Sequence, residues 1–197
     1  MNHLTLIEAP TIRIKNWTDH GELHRFVMGF FQSVQLPGEP NQKRLASNIL
    51  FRVDELPSGK ILLVQSDVAP TNLPRGARTK SVPTQRPPAG TPVRFRLTAN
   101  AIHRSRPSDP SIKRGTGTTP IEEIAEWLTN KVVDALEEVT IFRHDRSVAT
   151  SGRAPLQLDA IDGYALVKDG DALAALLRAG IGRSKAFGCG LMTVARA

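Results

Sequence analysis

Gly180-Ile181-Gly182-Arg183-Ser184-Lys185-Ala186-Phe187-Gly188-Cys189-Gly190 is the most telling run in this chain. Four glycines, an arginine and a lysine stand in eleven residues, after an amphipathic helical pattern and before a short apolar run that reads as a strand. Glycine lets the backbone take positive φ and come close to a ligand. Successive N–H groups in such a loop make a concavity for anions, and Arg183 and Lys185 add charge. Two familiar phosphate motifs are excluded. No G-x-x-x-x-G-K-[ST] run exists, and a dinucleotide fingerprint needs glycine where Lys185 stands and opens a helix instead of following one. Gly180, Gly182, Gly188, Gly190, Arg183 and Lys185 are therefore candidates for contact with a polyphosphate chain, most simply a nucleic acid.

Charge points the same way. Across 197 residues, 26 Lys and Arg oppose 19 Asp and Glu, a net charge of +7 that favours an acidic partner. Aromatic residues are only 5%, which argues against extensive base stacking on exposed rings. The single cysteine, Cys189, rules out a disulfide framework and a cysteine metal cluster. No signal-peptide pattern and no apolar stretch of about 20 residues is present, so a soluble cytoplasmic protein is expected.

Outward from the glycine run, the chain alternates short strands with two longer helical patterns. Residues 4–14 read as extended, broken at Pro10. Leu23, Phe26, Val27, Phe30 and Phe31 recur at helical spacing and predict a helix over 20–33, capped by Asp19 or Thr18. Residues 34–47 are polar and read as loop; 49–53 and 60–65 read as a hairpin around Pro57-Ser58-Gly59. Residues 71–114 carry ten basic residues and one acidic one, Asp109, and begin as a Pro/Gly connector. Val93-Arg94-Phe95-Arg96-Leu97 alternates, placing Arg94 and Arg96 on the face away from a core. A second helix is expected over 119–138, with Ile124, Trp127, Leu128, Val132 and Leu136 as its buried stripe. Strands over 140–143 and 156–161 flank a flexible basic link, 144–155, holding Arg146 and Arg153. A strand over 163–168, a helix over 171–179 and a closing strand over 191–194 complete the chain. The element order predicts an α+β fold of two tandem ferredoxin-like (β-α-β-β-α-β) domains, residues 1–90 and 91–197, the first with a poorly marked second helix.

Candidate chemistry centres on His24. Imidazole titrates near neutral pH and suits proton transfer, and Arg25 beside it suits a phosphate. His20 lies four residues earlier on the same helix face, but H-E-x-x-H is absent because Gly21 follows it, and no third metal ligand is marked. A G-x-S-x-G nucleophile motif is missing, and no carboxylates cluster as a two-metal nuclease requires.

The tail from Gly180 to Val194 resembles the C-terminal glycine-rich signature of CRISPR repeat-processing endoribonucleases, most of all the CasE branch of the RAMP superfamily, subunits of the Cascade surveillance complex. Gly21-Glu22-Leu23-His24-Arg25 resembles the family's first-helix segment with its catalytic histidine; Asn48-Ile49-Leu50-Phe51-Arg52-Val53 with Ile61-Leu62-Leu63-Val64-Gln65-Ser66 resembles its paired strands; Val93-Arg94-Phe95-Arg96-Leu97-Thr98-Ala99-Asn100 resembles its basic strand. The resemblance implies cleavage of precursor CRISPR RNA at the base of the repeat hairpin, without metal or other cofactor. The 2′-hydroxyl attacks its own phosphate, leaving 2′,3′-cyclic phosphate and 5′-hydroxyl ends, and the protein stays on the guide RNA with other Cascade subunits. It places the catalytic role on His24, as general acid or general base. Arg25, Arg94 and Arg96 are then expected to meet backbone phosphates, and Arg143, Arg146 and Arg153 a stem end. The family often carries tyrosine where Gly21 stands, and the only tyrosine is Tyr164. That departure keeps open a non-catalytic RNA-hairpin-binding subunit, beside a generic RNA-binding protein.

Overall fold

β1 (Asn2–Glu8) is the central thread of the first half, running antiparallel to β3 (Gly59–Ser66) on one side and β4 (Arg78–Val82) on the other. β2 (Leu50–Leu56) pairs with β3 through the Pro57-Ser58-Gly59 turn, giving the sheet order β2-β3-β1-β4. The second half repeats the plan. β5 (Pro92–Ala99) is followed by a short antiparallel pair, β6 (Ile102–Arg104) and β7 (Thr116–Thr118); β5 lies between β10 (Met192–Arg196) and β9 (Ala154–Val167), and β9 pairs with β8 (Leu136–Ser151), giving β10-β5-β9-β8. Within each half the order is fourth, first, third, second, all antiparallel, so the chain is α+β with two tandem ferredoxin-like units. These observations come from a computed structural model that describes residues 2–9, 14–32, 36–39, 42–104, 116–152 and 154–197.

Each sheet buries one face under its helices. In the first unit α1 (His20–Met28) packs Leu23 and Val27 onto Ile7, Phe51, Leu62 and Val64. α2 (Lys43–Ala46) is one turn within the stretch expected as loop. Residues 67–77 hold no helix; Val68, Leu73 and Ala77 cover the core instead. In the second unit α3 (Ile124–Val132) and α4 (Gly170–Ala179) cover Val93, Phe95 and Leu97, the alternation read from the sequence. Among the described residues no helix is long and apolar enough to cross a membrane.

Four expectations need correction. α1 ends at Met28, though Phe30 and Phe31 remain buried from the turn that follows. The second helix follows a 3₁₀ turn (Ile121–Glu123) and ends at Val132; Leu136 fills the core from β8, because a strand places its side chain there as well as a helix does. The link over 144–155 is not flexible: β8 and β9 stay paired from Leu136↔Val167 to Ser151↔Ala154. The inward residues of this ribbon are themselves polar, so no apolar alternation marks it: His144 and Arg146 close on the buried Asp159 of β9, while Asp145 between them is exposed. The connector contains β4, a polar edge strand that charge disguised, as edge strands tolerate exposed Lys and Arg. Arg153 and residues 105–115 of the basic stretch lie outside the described residues.

Candidate active site

Asp19 starts α1 as expected. Its carboxylate accepts from the N–H groups of Gly21 at 2.9 Å and Glu22 at 3.2 Å, satisfying donors that a helix start leaves unpaired. The helix then aims His20 and His24, one turn apart, at the glycine-rich loop of the other unit. His20 is 4% exposed, and its Nδ1 lies 2.6 Å from the Phe187 carbonyl. A carbonyl only accepts, so Nδ1 carries the proton and donates. His20 is thus a structural tie between the two units. His24, half-buried, meets the Phe187 ring edge-on at 6.1 Å between centroids.

The loop is held by its own backbone. Gly180 N–H donates to Leu176 O, Ile181 N–H to Gly190 O, Phe187 N–H to Ser184 O and Gly190 N–H to Thr98 O. The N–H groups of Gly180 and Gly190 are therefore occupied inside the protein, which departs from an anion cradle built on glycine amides. The four glycines all have positive φ, and Gly188 shows why. At φ +78° its Cα faces Phe51, where an added Cβ would sit 2.8 Å from Cε2 and 3.1 Å from His20 Nδ1. The glycines let the loop turn tightly and press against the first unit, carrying the 3₁₀ turn (Lys185–Phe187) to α1. Cys189 behind it is inert, since burial pushes its thiol up to about 12.

Cations surround His24. Burial chiefly, then the positive charges of Arg44 and Arg25, hold its imidazole below the ordinary value, while hydrogen bonding to the Ala186 backbone opposes them. Burial likewise lowers Lys185, with Arg44 adding to the effect, and burial lowers Arg44 itself. Sequence reasoning missed Arg44, which sits in a polar stretch without a motif; only its position beside the hairpin strand Ile49–Val53 hinted at it. Arg25 and Arg183 are exposed, Arg183 on the far side of the loop near Trp127 and Asn130.

The remaining candidates stand elsewhere. Arg96 closes on Asp162 at 2.6 Å, Arg146 on Asp159 at 2.7 Å and Arg143 on Asp145 at 2.6 Å. Arg94 lies over the Phe142 ring at 5.2 Å, and Tyr164 packs against the same ring. Arg96 and Arg143 line a cleft of about 420 Å³ between the two sheets, where Lys60 is the third cation and Asp54, Glu55, Asp145 and Asp162 answer them. Carboxylates there outnumber the cations; among the described residues none pairs with Arg44 or Lys185. Gly21, in the tyrosine position, lies under the β8–β9 tip. Thr150 N–H donates to Thr18 O at 2.8 Å, and a Cβ on Gly21 would come within 3.2 Å of Gly152 N, so any side chain there presses on the tip, which must give by a few tenths of an ångström.

Paired antiparallel ferredoxin-like units, with a half-buried imidazole and neighbouring cations where the glycine-rich loop meets the first helix, define the class of protein. The chain matches the family described as CRISPR associated protein over residues 1–196 and belongs to it, as a CasE-type member. It is 32% identical over 173 residues to the CRISPR system Cascade subunit CasE of Escherichia coli strain K12, covering 79% of this chain and 85% of that one. The crystal structure of the CRISPR-associated protein Cas6e from Escherichia coli K-12 matches with a TM-score of 0.71 at 27% identity, over all of both chains. The CRISPR endoribonuclease Cse3 bound to a 19-nucleotide RNA matches with a TM-score of 0.74 at 26% identity, over 99% of this chain and 100% of that one.

Proposed function

We propose that this chain is an endoribonuclease that cleaves precursor CRISPR RNA at the base of the repeat hairpin, without metal, and then remains on the guide RNA within Cascade. The observation that carries the proposal is His24, half-buried at the junction of the two units, with Arg44 and Arg25 as its cationic neighbours and Lys185 next to Arg44. The ribose 2′-oxygen attacks the adjacent phosphorus as the bond to the 5′-oxygen breaks, giving a 2′,3′-cyclic phosphate and a 5′-hydroxyl. His24 moves one proton, either onto the leaving 5′-oxygen or off the 2′-hydroxyl. Burial first, and then the neighbouring cations, hold the proton affinity of its imidazole below the ordinary value in the free protein. A phosphate drawn to the same cations offsets their charge and raises its proton affinity toward neutrality, where general acid–base transfer works best. In-line geometry is foreign to a regular A-form stem, so the stem base must be splayed; the cationic surface supplies the grip.

Single-turnover cleavage of the repeat hairpin in EDTA tests this. His24→Ala should bind the hairpin as the unaltered protein does and cleave it roughly 10²–10⁴-fold more slowly. An unchanged rate in that variant, or loss of wild-type cleavage in EDTA, rejects the mechanism. Tight binding of the hairpin by the unaltered protein without a cut supports instead a non-catalytic hairpin-binding subunit, the reading that Gly21 beneath the hairpin tip favours.

A further inference from the structure

Among the described residues, the partly or fully buried arginines divide by their partners. Arg52, Arg96 and Arg146 each close on a carboxylate, from Asp54, Asp162 and Asp159. Arg44 does not. Its Nη1 donates to the Ile49 carbonyl at 3.0 Å, and Ile49 N–H donates back to the Arg44 carbonyl at 3.0 Å. This reciprocal pair ties α2 to the entry of β2 and fixes where the guanidinium stands. Lys185, its cationic neighbour, donates to the Ala179 carbonyl at 2.8 Å, again a neutral acceptor. Among the described residues neither cation has a carboxylate within ion-pair distance. Lys185 opens the 3₁₀ turn whose Phe187 ring meets His24 edge-on, and α2 leads into β2, whose Phe51 packs under Gly188 of the same loop, so two part-buried like charges gather where the imidazole stands, an arrangement that is unfavourable until an anion joins them. A guanidinium carries five N–H donors in a planar fork, and one edge of it spans two oxygens of a phosphate.

We propose that Arg44 binds the phosphate at the cut site, holding it against His24 and meeting the charge that builds on its oxygens. This deepens the function proposed above and rests on it. It also supplies a second group to the site from α2, where Gly21 leaves α1 without one. Arg44 keeps its protons throughout; its part is positioning and charge, donated to the two non-bridging oxygens.

The test reads binding, so that it stands apart from cleavage. A repeat hairpin made uncleavable by 2′-deoxy sugars around the stem base is prepared with a neutral methylphosphonate at each phosphate there in turn. One such replacement should weaken wild-type binding roughly 10- to 100-fold, the range for a hydrogen bond to a charged group. Arg44→Met should bind the unmodified hairpin weaker by a similar factor and be indifferent to that replacement, and Arg44→Lys should keep part of the discrimination. If Arg44→Met does not fold, Arg44→Gln carries the same comparison. Equal sensitivity in wild type and variant, or a wild type insensitive at every stem-base phosphate, overturns the assignment. Failure of the unaltered protein to cut a natural hairpin would refute the endoribonuclease reading and leave this comparison intact. Normal cutting together with full discrimination in Arg44→Met would refute Arg44 alone.

Discussion

Gly188→Ala puts the junction between the two units under direct test. The residue stands at φ +78°, where a side chain costs about 1–2 kcal/mol. Its Cβ would sit 2.8 Å from Cε2 and 3.3 Å from Cδ2 of Phe51, a ring 1% exposed and held in the first core. Relief needs a shift of several tenths of an ångström, and overpacking of that kind costs about 1–3 kcal/mol. If the loop moves instead of the ring, the bond from His20 to Phe187 O is stretched, at about 1 kcal/mol. Together the loss is about 2–5 kcal/mol, which at ~2–4 °C per kcal/mol for a chain of this size lowers the melting temperature by roughly 4–20 °C. Thermal unfolding followed by circular dichroism measures it. The same displacement moves Phe187 from the edge of His24, so single-turnover hairpin cleavage should fall as well. A melting temperature within about 2 °C of wild type, with cleavage unchanged, would refute the packing argument.

Three further outcomes are expected. Arg52→Ala removes a guanidinium that donates to both oxygens of Asp54 and to the Arg96 and Leu191 carbonyls of the second sheet; stranding Asp54 should cost about 3–5 kcal/mol, read as a lower urea midpoint. His20 and His24 both have proton affinities lowered chiefly by burial. Folded values below the unfolded one mean their contribution is complete above about pH 6.5 and fades as pH falls through the lowered values, so the melting temperature should drop on acidification from neutrality, less so in His20→Gln. Lys185→Ala should weaken hairpin binding and flatten its log–log salt slope by about 0.7–0.9, whereas Arg146→Ala, whose guanidinium serves Asp159 and Thr119 O, should lower stability and leave the slope unchanged.

Local signals read well from the chain because they are local. Asp19 caps α1 through contacts two and three residues away, Val93, Phe95 and Leu97 alternate into the core, and the Pro57-Ser58-Gly59 turn joins two strands. His24 was legible from its neighbours and from resemblance. The 144–155 ribbon was not, because its residues become a strand only through pairing with β9. Arg44 was invisible for a related reason: a polar turn beside a strand has no pattern that says which pocket its side chain will share.

The sequence by itself determined that this is a basic α+β chain with a histidine on its opening helix and a glycine-rich run near its end. Only the tertiary structure decided which positive charges are answered. Arg96 meets Asp162 and Arg146 meets Asp159 across strands, while Arg44 and Lys185, from opposite ends of the chain, come together near His24 and, among the described residues, neither has a carboxylate within ion-pair distance. Electrostatic energy depends on distance in space, and residues 44, 24 and 185 become neighbours only after both sheets have closed and the glycine loop has docked on Phe51.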